Sequence, residues 1–305
     1  MPTVDELDAD LDDFVRSCGF AQRGAVVTDL DGTAVHEHEG RVAIPRTVEH
    51  GLKELAELGR PLIINSLRFP RSVLATFGRA WCDITQRPIA MVSLNGSLTG
   101  QMLVGADGEP TFEEFAAEPL DAGEIAVLLA RVARLLEDGL DEILFFFYPR
   151  DWRVGEIIWT PSAARVAAVQ AKYTSASEVI SGGIEALRAR LEPSEPCMAL
   201  LLVDAPDDRL MAYQHAQRSA FFTHAGVDKL SGARRIAERL GVDLAASIGA
   251  GDTVMDSFLA GVGLAVVVGG GELPYRGLHR TIHLRDSLAL GELFFRLAET
   301  HRAVR

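Results

Sequence analysis

The sequence predicts an α/β protein whose core is an open parallel sheet covered by helices. Short apolar runs alternate with amphipathic segments over residues 24–96, and the alternation resumes over residues 228–302. This order of strand, helix and strand implies a parallel sheet with right-handed crossovers. Several of the apolar runs end in acidic or hydroxyl side chains, and ligands bind at the carboxyl ends of the strands in sheets of this kind.

The first part of the chain supplies an acidic helix and three strands. Residues 4–18 have the charge and spacing of a short amphipathic helix. Strands are then predicted in AVVTDL, RPLIINS and PIAMVSLNG. Helices are predicted between them, in PRTVEHGLKELAELG, with Pro45 near its start and Gly59 at its end, and in FPRSVLATFGRAW.

The pattern changes after Gly96. A hairpin is predicted in SLTGQMLVGADGEPTF and a strong helix in DAGEIAVLLARVARLLEDG, followed by strands in EILFFFYPRD, VGEIIWTP and CMALLLVDA. These elements lack the earlier alternation. We therefore predict a second α/β domain over residues 97–216, inserted into a core domain made of residues 1–96 and 217–305.

The first pattern then resumes. Helices are predicted in DKLSGARRIAERLG, TVMDSFLAGVG and LALGELFFRLAETHR, with strands in LAASIGAGD and LAVVVGG. These elements complete the core domain.

Composition and charge restrict the function. The 305 residues are 48% hydrophobic and 24% charged, as in an ordinary globular protein. The net charge of -13 argues against a nucleic-acid partner but allows a small phosphorylated substrate. The three cysteines lack metal-ligand spacing, and the apolar runs are too short to span a bilayer. The acidic amino-terminal segment does not resemble a secretory signal, so we expect a cytoplasmic protein without a membrane partner. We also expect a monomer or a homodimer.

Chemistry-bearing side chains cluster at the predicted strand ends. Asp29 and Asp31 end the first strand, Ser66 ends the second, and Asp252 follows a later one. Lys229 lies just inside a helix start. Crowded carboxylates repel one another, and a hard cation such as Mg²⁺ relieves that repulsion. An anionic substrate would add to the need for both the cation and the lysine.

The order of DLDGT, a strand-end serine, a lysine and GDTVMD resembles the motifs of the haloacid dehalogenase (HAD) superfamily of phosphohydrolases, over nearly the whole chain. The long insert resembles the type 2 cap, the α/β (C2B) cap of the Cof-type and sucrose-phosphatase-like branch, IIB. This resemblance implies a Rossmann-like core with an inserted cap. It also implies a Mg²⁺-dependent phosphatase that hydrolyses a small phosphorylated metabolite, with a sugar phosphate favoured, through an aspartyl-phosphate intermediate.

The resemblance also implies catalytic roles. Asp29 would attack phosphorus, and Asp31 would protonate the leaving alcohol and then activate water. Ser66 would hold the phosphoryl oxygens, and Lys229 would neutralise the phosphate and the nucleophile.

The metal and substrate residues follow from the same resemblance. Asp29, the main-chain carbonyl of Asp31 and Asp252 would bind Mg²⁺, while Asp256 would anchor the water shell of the metal or orient the lysine. The residues that would contact the substrate or shape its phosphate site are Gly32, Thr33, Leu67 and Arg68. For Arg68, and for Arg71, the alternative is an ordinary surface arginine.

Two departures from the family pattern keep other functions open. Met255 stands where the family has Asn, and Ser66-Leu67-Arg68 stands where it has Thr-Gly-Arg. A sugar-phosphate-binding or regulatory protein with weak turnover is one alternative. A phosphotransferase or phosphomutase, which would share the aspartyl-phosphate step, is a further alternative that does not depend on these departures.

Two further groups of residues are candidates for substrate contact. His36 and His38 are predicted on a flap beside the site, without a metal role. Tyr148, Arg150 or Trp152 could face the substrate, or could belong to the core of the inserted domain.

Overall fold

A computed structural model describes residues 4–38, 41–85, 87–203 and 219–304. The chain divides into two compact units. The first comprises Met1–Ser66, Val73–Ala116 and Asp228–Arg305, and the second comprises Leu67–Ser72 and Ala117–Val227. Within the described residues, no helix is both long enough and apolar enough to cross a membrane.

The structure contains fifteen strands and ten α-helices within the described residues. The strands are β1 (Val26–Thr28), β2 (His36–His38), β3 (Arg41–Ala43), β4 (Leu62–Asn65), β5 (Ile89–Ser93), β6 (Leu98–Val104), β7 (Pro110–Ala117), β8 (Ile143–Tyr148), β9 (Glu156–Thr160), β10 (Ala176–Ser181), β11 (Met198–Val203), β12 (Ser219–Phe222), β13 (Ile248–Gly251), β14 (Leu264–Val268) and β15 (Arg280–Leu284). The helices are α1 (Val4–Cys18), α2 (Phe20–Arg23), α3 (Arg46–Glu57), α4 (Pro70–Val73), α5 (Arg79–Thr85), α6 (Ala122–Glu137), α7 (Val166–Lys172), α8 (Ile184–Leu191), α9 (Lys229–Leu240) and α10 (Ser287–Val304).

The first unit is built on an eight-stranded sheet in the order β15-β14-β13-β1-β4-β5-β6-β7. The six strands from β15 to β5 are parallel, as the alternating sequence pattern predicts. Strand β1 lies between β13 and β4 and is buried along its length because apolar residues cover both faces. The carboxyl ends of these three strands therefore meet at one edge of the sheet.

The predicted hairpin after Gly96 belongs to the first unit. Strand β6 pairs antiparallel with β5, with Ser93 opposite Leu98, and β7 forms the edge of the sheet. The division therefore differs from the predicted 97–216, because main-chain pairing keeps residues 97–116 in the first sheet. At the other end, residues 216 and 217 lie outside the described residues, and β12 pairs with β11 in the second unit.

Three local predictions need correction. The helix predicted in TVMDSFLAGVG is only a 3-10 turn at Ser257–Ala260, because the preceding loop wraps around the Asp256 carboxylate. The helix predicted from residue 69 contains a π-helical segment at Leu74–Gly78 between α4 and α5. Strand β15 has no counterpart among the predicted elements, because its burial alternates and its sequence lacks a continuous apolar run.

The second unit contains a five-stranded mixed sheet in the order β10-β9-β8-β11-β12. Helices α6 and α8 cover one face, which presents the buried side chains of Phe145, Phe147 and Trp159. Helix α6 begins at Asp121, whose carboxylate accepts the Glu124 amide while the Glu124 carboxylate accepts the Asp121 amide. This capping box satisfies two amides that the helix itself leaves without partners.

Helices α3 and α10 of the first unit pack at very short range through glycines. A Cβ atom on Gly291 would lie 2.4 Å from the main-chain carbon of Thr47 and 2.5 Å from the nitrogen of Val48. A Cβ on Gly51 would lie 2.6 Å from the Cβ of Phe294. The two helices can approach this closely only because neither position carries a side chain.

We predict that Gly291→Ala lowers the free energy of unfolding by about 1–3 kcal/mol, because overpacking against main-chain atoms outweighs the helix propensity of alanine. Urea unfolding of the two proteins measures the difference. Gly270→Ala is the control, since a Cβ at Gly270 would have no atom within 4 Å. Equal stability of Gly291→Ala and wild type would contradict the close approach of the helices.

Candidate active site

The site is assembled where β1, β4 and β13 end. In the sheet register, Thr28 lies beside Ile64 on one side and Ala250 on the other. The Asp29 amide donates to the Ala250 carbonyl oxygen at 2.9 Å. Asp29 therefore leaves the sheet directly beside Gly251 and Asp252, and its carboxylate is held near the second acidic motif by main-chain pairing.

Lys229 is the centre of the site. It is the first residue of α9, its side chain is 2% exposed, and it forms two buried ion pairs. Its Nζ lies 2.8 Å from Asp29 Oδ1 and 2.6 Å from Asp256 Oδ1. Burying a single ammonium group would be costly, and the two carboxylates compensate for the lost hydration.

Asp256 is completely buried, and both of its oxygens accept hydrogen bonds. Oδ1 accepts from Lys229, while Oδ2 accepts from the main-chain amides of Asp252 and Thr253 at 2.9 and 2.8 Å. The carboxylate thus fixes the loop that carries Asp252. A Cβ on Gly251 would lie 2.7 Å from the Asp256 side chain, so the strand end requires glycine there.

Asp252 reaches back to the turn that follows β1. Its Oδ1 accepts a hydrogen bond from Thr33 Oγ1 at 3.0 Å. Gly32 has a φ of 78° and lies against the same carboxylate, so that a Cβ there would be 2.2 Å from Asp252 Oδ2. Glycine is needed at this position both for the left-handed conformation and for the close approach.

Burial and charge shift the titration of the site. Burial raises the pKa of Asp29 well above its ordinary value, although the Lys229 ammonium opposes this shift. Burial acts to lower the pKa of Lys229, but the Asp256 and Asp29 carboxylates outweigh it, so the net shift is upward. Burial, followed by the nearby Asp256 carboxylate, raises the pKa of Asp252 to about 6. The site therefore favours a positive charge next to Asp29 and Asp252.

The acidic residues fit a hard divalent cation. Asp29, Asp252 and Asp256 each place a carboxylate oxygen within 4.8 Å of the others. All of the possible metal ligands in this group are carboxylate oxygens, which suit Mg²⁺ better than a soft metal. Because both Asp256 oxygens already accept from N–H groups, Asp29 and Asp252 are the more available ligands.

A second group with possible ligand spacing lies in the second unit and comprises Asp121, Glu124 and His224. Its geometry is explained by hydrogen bonds within the protein. Asp121 and Glu124 form the capping box of α6, and Glu124 also accepts from the Ala225 amide and pairs with His224. These bonds account for the cluster without a metal.

The structure distributes the remaining predicted site residues between the two units. Asp31 is partly exposed in the turn after β1 and bridges to Val35. Ser66 is buried at the end of β4, with its amide bonded to the Val92 carbonyl oxygen. Leu67 and Arg68 begin the segment assigned to the second unit, where Arg68 donates to Ser72 at 3.4 Å. Contact of these two residues with a substrate stays a prediction.

The candidates of the second unit have partners within that unit. Arg71 donates to the Arg153 carbonyl oxygen and, at 3.0 Å, to Ser177 Oγ. The Tyr148 hydroxyl is buried and donates to Glu156 at 2.5 Å, which favours the interpretation that Tyr148 belongs to the domain core.

The other candidates are more open. Arg150 is exposed and lies 3.9 Å from Glu195, and the Arg153 guanidinium covers the Trp152 ring. The backbone of His36 and His38 belongs to β2, which pairs antiparallel with β3, whereas their side chains lie outside the described residues.

Asn65 is a site residue that the sequence analysis missed. It is completely buried at the end of β4, and its Nδ2 donates to the Lys229 carbonyl oxygen at 2.9 Å. An amide side chain at the end of the apolar run LIIN was the available signal, because a buried amide needs a partner. The bond joins the strand that carries Ser66 to the start of α9.

Comparison with solved structures identifies the fold. A HAD superfamily phosphatase from Bacteroides thetaiotaomicron matches with a TM-score of 0.61 at 16% identity, covering 92% of this chain and 96% of its own. A HAD/COF-like hydrolase from Plasmodium vivax matches with a TM-score of 0.65 at 14% identity, covering 97% of this chain and 100% of its own. The chain has the fold of the HAD superfamily hydrolases. This confirms the predicted α/β fold.

A third solved structure, described as a HAD subclass IIB sugar phosphatase, also matches the fold of this chain. Its TM-score is 0.60 at 14% identity, with 92% of this chain and 100% of the other covered. No protein-family model matches the sequence, and the curated proteins include no significant match. At such low identity the likeness establishes the HAD fold, and the chemistry has to be argued from the site.

We predict that Asp252→Asn changes how stability depends on pH in the absence of divalent cations. The ordinary pKa of 3.8 is raised to about 6 in the folded protein. The folded protein therefore binds the Asp252 proton more tightly than the unfolded chain does, and this proton stabilises the fold at low pH. That contribution to stability is lost as the pH rises through the pKa of about 6 in the folded protein. Melting curves between about pH 4 and pH 7 should show wild type losing stability relative to Asp252→Asn as the pH rises. Parallel curves for the two proteins would contradict the shift.

We predict that Gly32→Ala displaces the Asp252 carboxylate, because the new Cβ would lie 2.2 Å from Asp252 Oδ2 in a left-handed backbone. Unfolding stability should fall by about 1–3 kcal/mol. Gly108→Ala is a matched control, since Gly108 has a similar φ of 82° but no atom within 4 Å of its Cβ position. A loss no larger than that of the control would show that close approach to Asp252 is unimportant.

Proposed function

We propose that the protein is a Mg²⁺-dependent phosphatase that hydrolyses a small phosphorylated metabolite through an aspartyl-phosphate intermediate. The observation that carries the proposal is the buried contact of Lys229 with Asp29 and Asp256 at the carboxyl edge of a parallel sheet. This contact places a fixed positive charge beside a carboxylate that can attack an anionic group. The HAD fold and the motif order support the same assignment.

The proposed cation accounts for the charge of the site. Three carboxylates lie within 4.8 Å of one another, and only two of them pair with the Lys229 ammonium group. Burial also raises the pKa of Asp29 well above its ordinary value. An attacking carboxylate must be ionised, so a further positive charge is required. We assign Mg²⁺ to the carboxylates of Asp29 and Asp252 and the main-chain carbonyl of Asp31, while Asp256 holds the Asp252 loop. When bound, Mg²⁺ neutralises phosphoryl oxygens and favours attack at phosphorus.

In the first proposed step, a carboxylate oxygen of Asp29 attacks phosphorus. The new O–P bond forms as the ester P–O bond breaks, and the Asp31 carboxyl gives its proton to the leaving alcohol oxygen. Lys229 stabilises the charge on Asp29 and the phosphoryl group. Ser66 donates a hydrogen bond to a phosphoryl oxygen, with the Leu67 amide assisting.

In the second proposed step, water hydrolyses the aspartyl-phosphate. The Asp31 carboxylate takes a proton from water, the water oxygen bonds to phosphorus, and the O–P bond to Asp29 breaks. Inorganic phosphate leaves, Asp29 is regenerated, and the proton on Asp31 is available for the next alcohol. Asp31 is two residues from the nucleophile Asp29. The next two residues, Gly32 and Thr33, contact the Asp252 carboxylate.

Sugar phosphates are the proposed substrates. One structure with the same HAD fold is described as a subclass IIB sugar phosphatase, and the second unit of this chain is an α/β domain whose residues lie between Ser66 and Lys229 in the motif order. We assign substrate selection to that unit, with Arg68 as a candidate contact. A panel of sugar phosphates, other phosphate monoesters and an aryl phosphate, assayed with Mg²⁺, tests the proposal.

The same panel separates the alternatives. Phosphate release supports the phosphatase. Saturable binding of an ester without release would favour a binding or regulatory protein, as the departures at Leu67 and Met255 allow. Transfer of the phosphoryl group to an added sugar, instead of water, would favour a phosphotransferase or phosphomutase.

We predict that Asp29→Asn reduces kcat by on the order of a thousandfold or more, because the neutral amide is a poor nucleophile and has no carboxylate with which to form the acyl phosphate. Phosphate release from the best ester of the panel measures the loss. Asp107→Asn is the control, since Asp107 lies exposed in the turn between β6 and β7. Full activity of Asp29→Asn would exclude Asp29 as the nucleophile.

A further inference from the structure

Ser257 links the two elements that hold Lys229. It directly follows Asp256 in the 3-10 turn, and it contacts the start of α9, which lies far away in sequence. The Ser257 Oγ donates to Asp228 Oδ2 at 2.8 Å and accepts from the Leu230 amide at 3.1 Å. A single hydroxyl group thus binds the residues on both sides of Lys229.

We propose that Ser257 is a positioning residue, which sets the position of Lys229 between Asp29 and Asp256 for phosphoryl transfer. This inference rests on the proposed phosphatase function. We call Ser257, the Asp228 carboxylate and the Leu230 amide the Ser257 clasp. Its hydroxyl touches neither reacting carboxylate in the contacts described, and it acts through the helix start that carries the lysine.

The physical need for the clasp follows from the lysine side chain. Four rotatable bonds separate the Lys229 main chain from Nζ, so the ammonium group is placed correctly only if both ends of the chain are held. Asp29 and Asp256 hold the ammonium end. The main-chain end is held by Asn65, which donates to the Lys229 carbonyl oxygen, and by the clasp.

The clasp also uses groups that a helix start leaves without intrahelical partners. The first amides of a helix need acceptors outside it. Asp228 is the N-cap of α9, and its Oδ1 accepts from the Ser231 amide at 2.7 Å. Ser257 supplies the acceptor for Leu230 and uses the second Asp228 oxygen. The helix start is therefore hydrogen-bonded to the turn that follows Asp256.

Close packing on the other side of α9 leaves little room for compensation. A Cβ on Gly96 would lie 2.1 Å from the Asp228 carbonyl oxygen, and one on Gly232 would lie 2.4 Å from a Val92 methyl carbon. The helix start is thus fixed against the β5–β6 turn. Loss of the clasp would remove the hydrogen bonds between this helix start and the turn that follows Asp256, and with them a restraint on the contact between Lys229 and Asp256.

The test compares Ser257→Ala, Ser257→Thr and Ser257→Val with wild type, using the best phosphate ester of the panel and Mg²⁺. Displacements near 1 Å cost about a hundredfold in rate, so partial loosening should lower kcat of Ser257→Ala about tenfold. KM should change by less than about twofold, because Lys229 acts mainly on the developing charge. Ser257→Thr retains the hydroxyl and should restore kcat, whereas Ser257→Val has the same shape without it and should not.

Ser231→Ala is the matched control. Ser231 lies in the same helix start, and its Oγ accepts from the Asp228 amide, so the change removes a capping bond without touching Ser257. It should keep kcat within about twofold of wild type even where its melting temperature falls. If Ser231→Ala loses as much kcat as Ser257→Ala, or if Thr and Val at position 257 behave alike, the positioning role is overturned.

A measurement independent of activity separates this inference from the phosphatase proposal. Amide hydrogen exchange should accelerate in Ser257→Val, relative to Ser257→Thr, in peptides covering 228–232 and also 252–257. In Ser231→Ala, amide hydrogen exchange should accelerate only in the peptides covering 228–232. Unchanged exchange in Ser257→Val would overturn the clasp even in an active enzyme. No phosphate release by wild type would overturn the phosphatase and with it the catalytic role of Ser257, while the exchange data would still report whether the clasp exists.

Discussion

The buried ammonium group of Lys229 between Asp29 and Asp256 is the interaction on which the site depends. A charge that is almost completely removed from water persists only where charged partners compensate for the lost hydration. The three residues come from three distant parts of the chain, so their contact joins β1, the start of α9 and the turn after β13. The hydrogen bonds of Asn65, Asp228 and Ser257 are arranged around that contact, and they fix the main chain on which it relies.

Glycines allow the charged groups to approach one another. Gly32 and Gly251 lie directly against the carboxylates of Asp252 and Asp256, and Gly96 lies against the main chain of Asp228. At each of these positions a side chain would occupy space that one of these aspartates already fills. The glycines of DLDGT and GDTVMD thus have a steric role that is separate from the chemistry of the neighbouring acids.

The two departures from the family pattern differ in what surrounds them. Met255 lies in the loop between Asp252 and Asp256, where the amides of Asp252 and Thr253 donate to the Asp256 carboxylate. Leu67, in contrast, stands where the chain passes from the first unit to the second. Leu67 therefore begins a segment of the second unit, whereas Met255 lies within the first.

The sequence by itself determined the parallel α/β fold and the identity of the acidic pair, the lysine and the second acidic motif. Apolar runs ending in polar side chains are local signals, and they survive in a single sequence. The tertiary structure alone decided that residues 97–116 extend the first sheet, that TVMDSFLAGVG forms a short turn, and that Asn65 and Ser257 are bonded to the start of α9. These features depend on pairing and hydrogen bonding between residues far apart in the chain. No local periodicity encodes such contacts, because each partner satisfies a donor or acceptor that only the folded chain brings within reach.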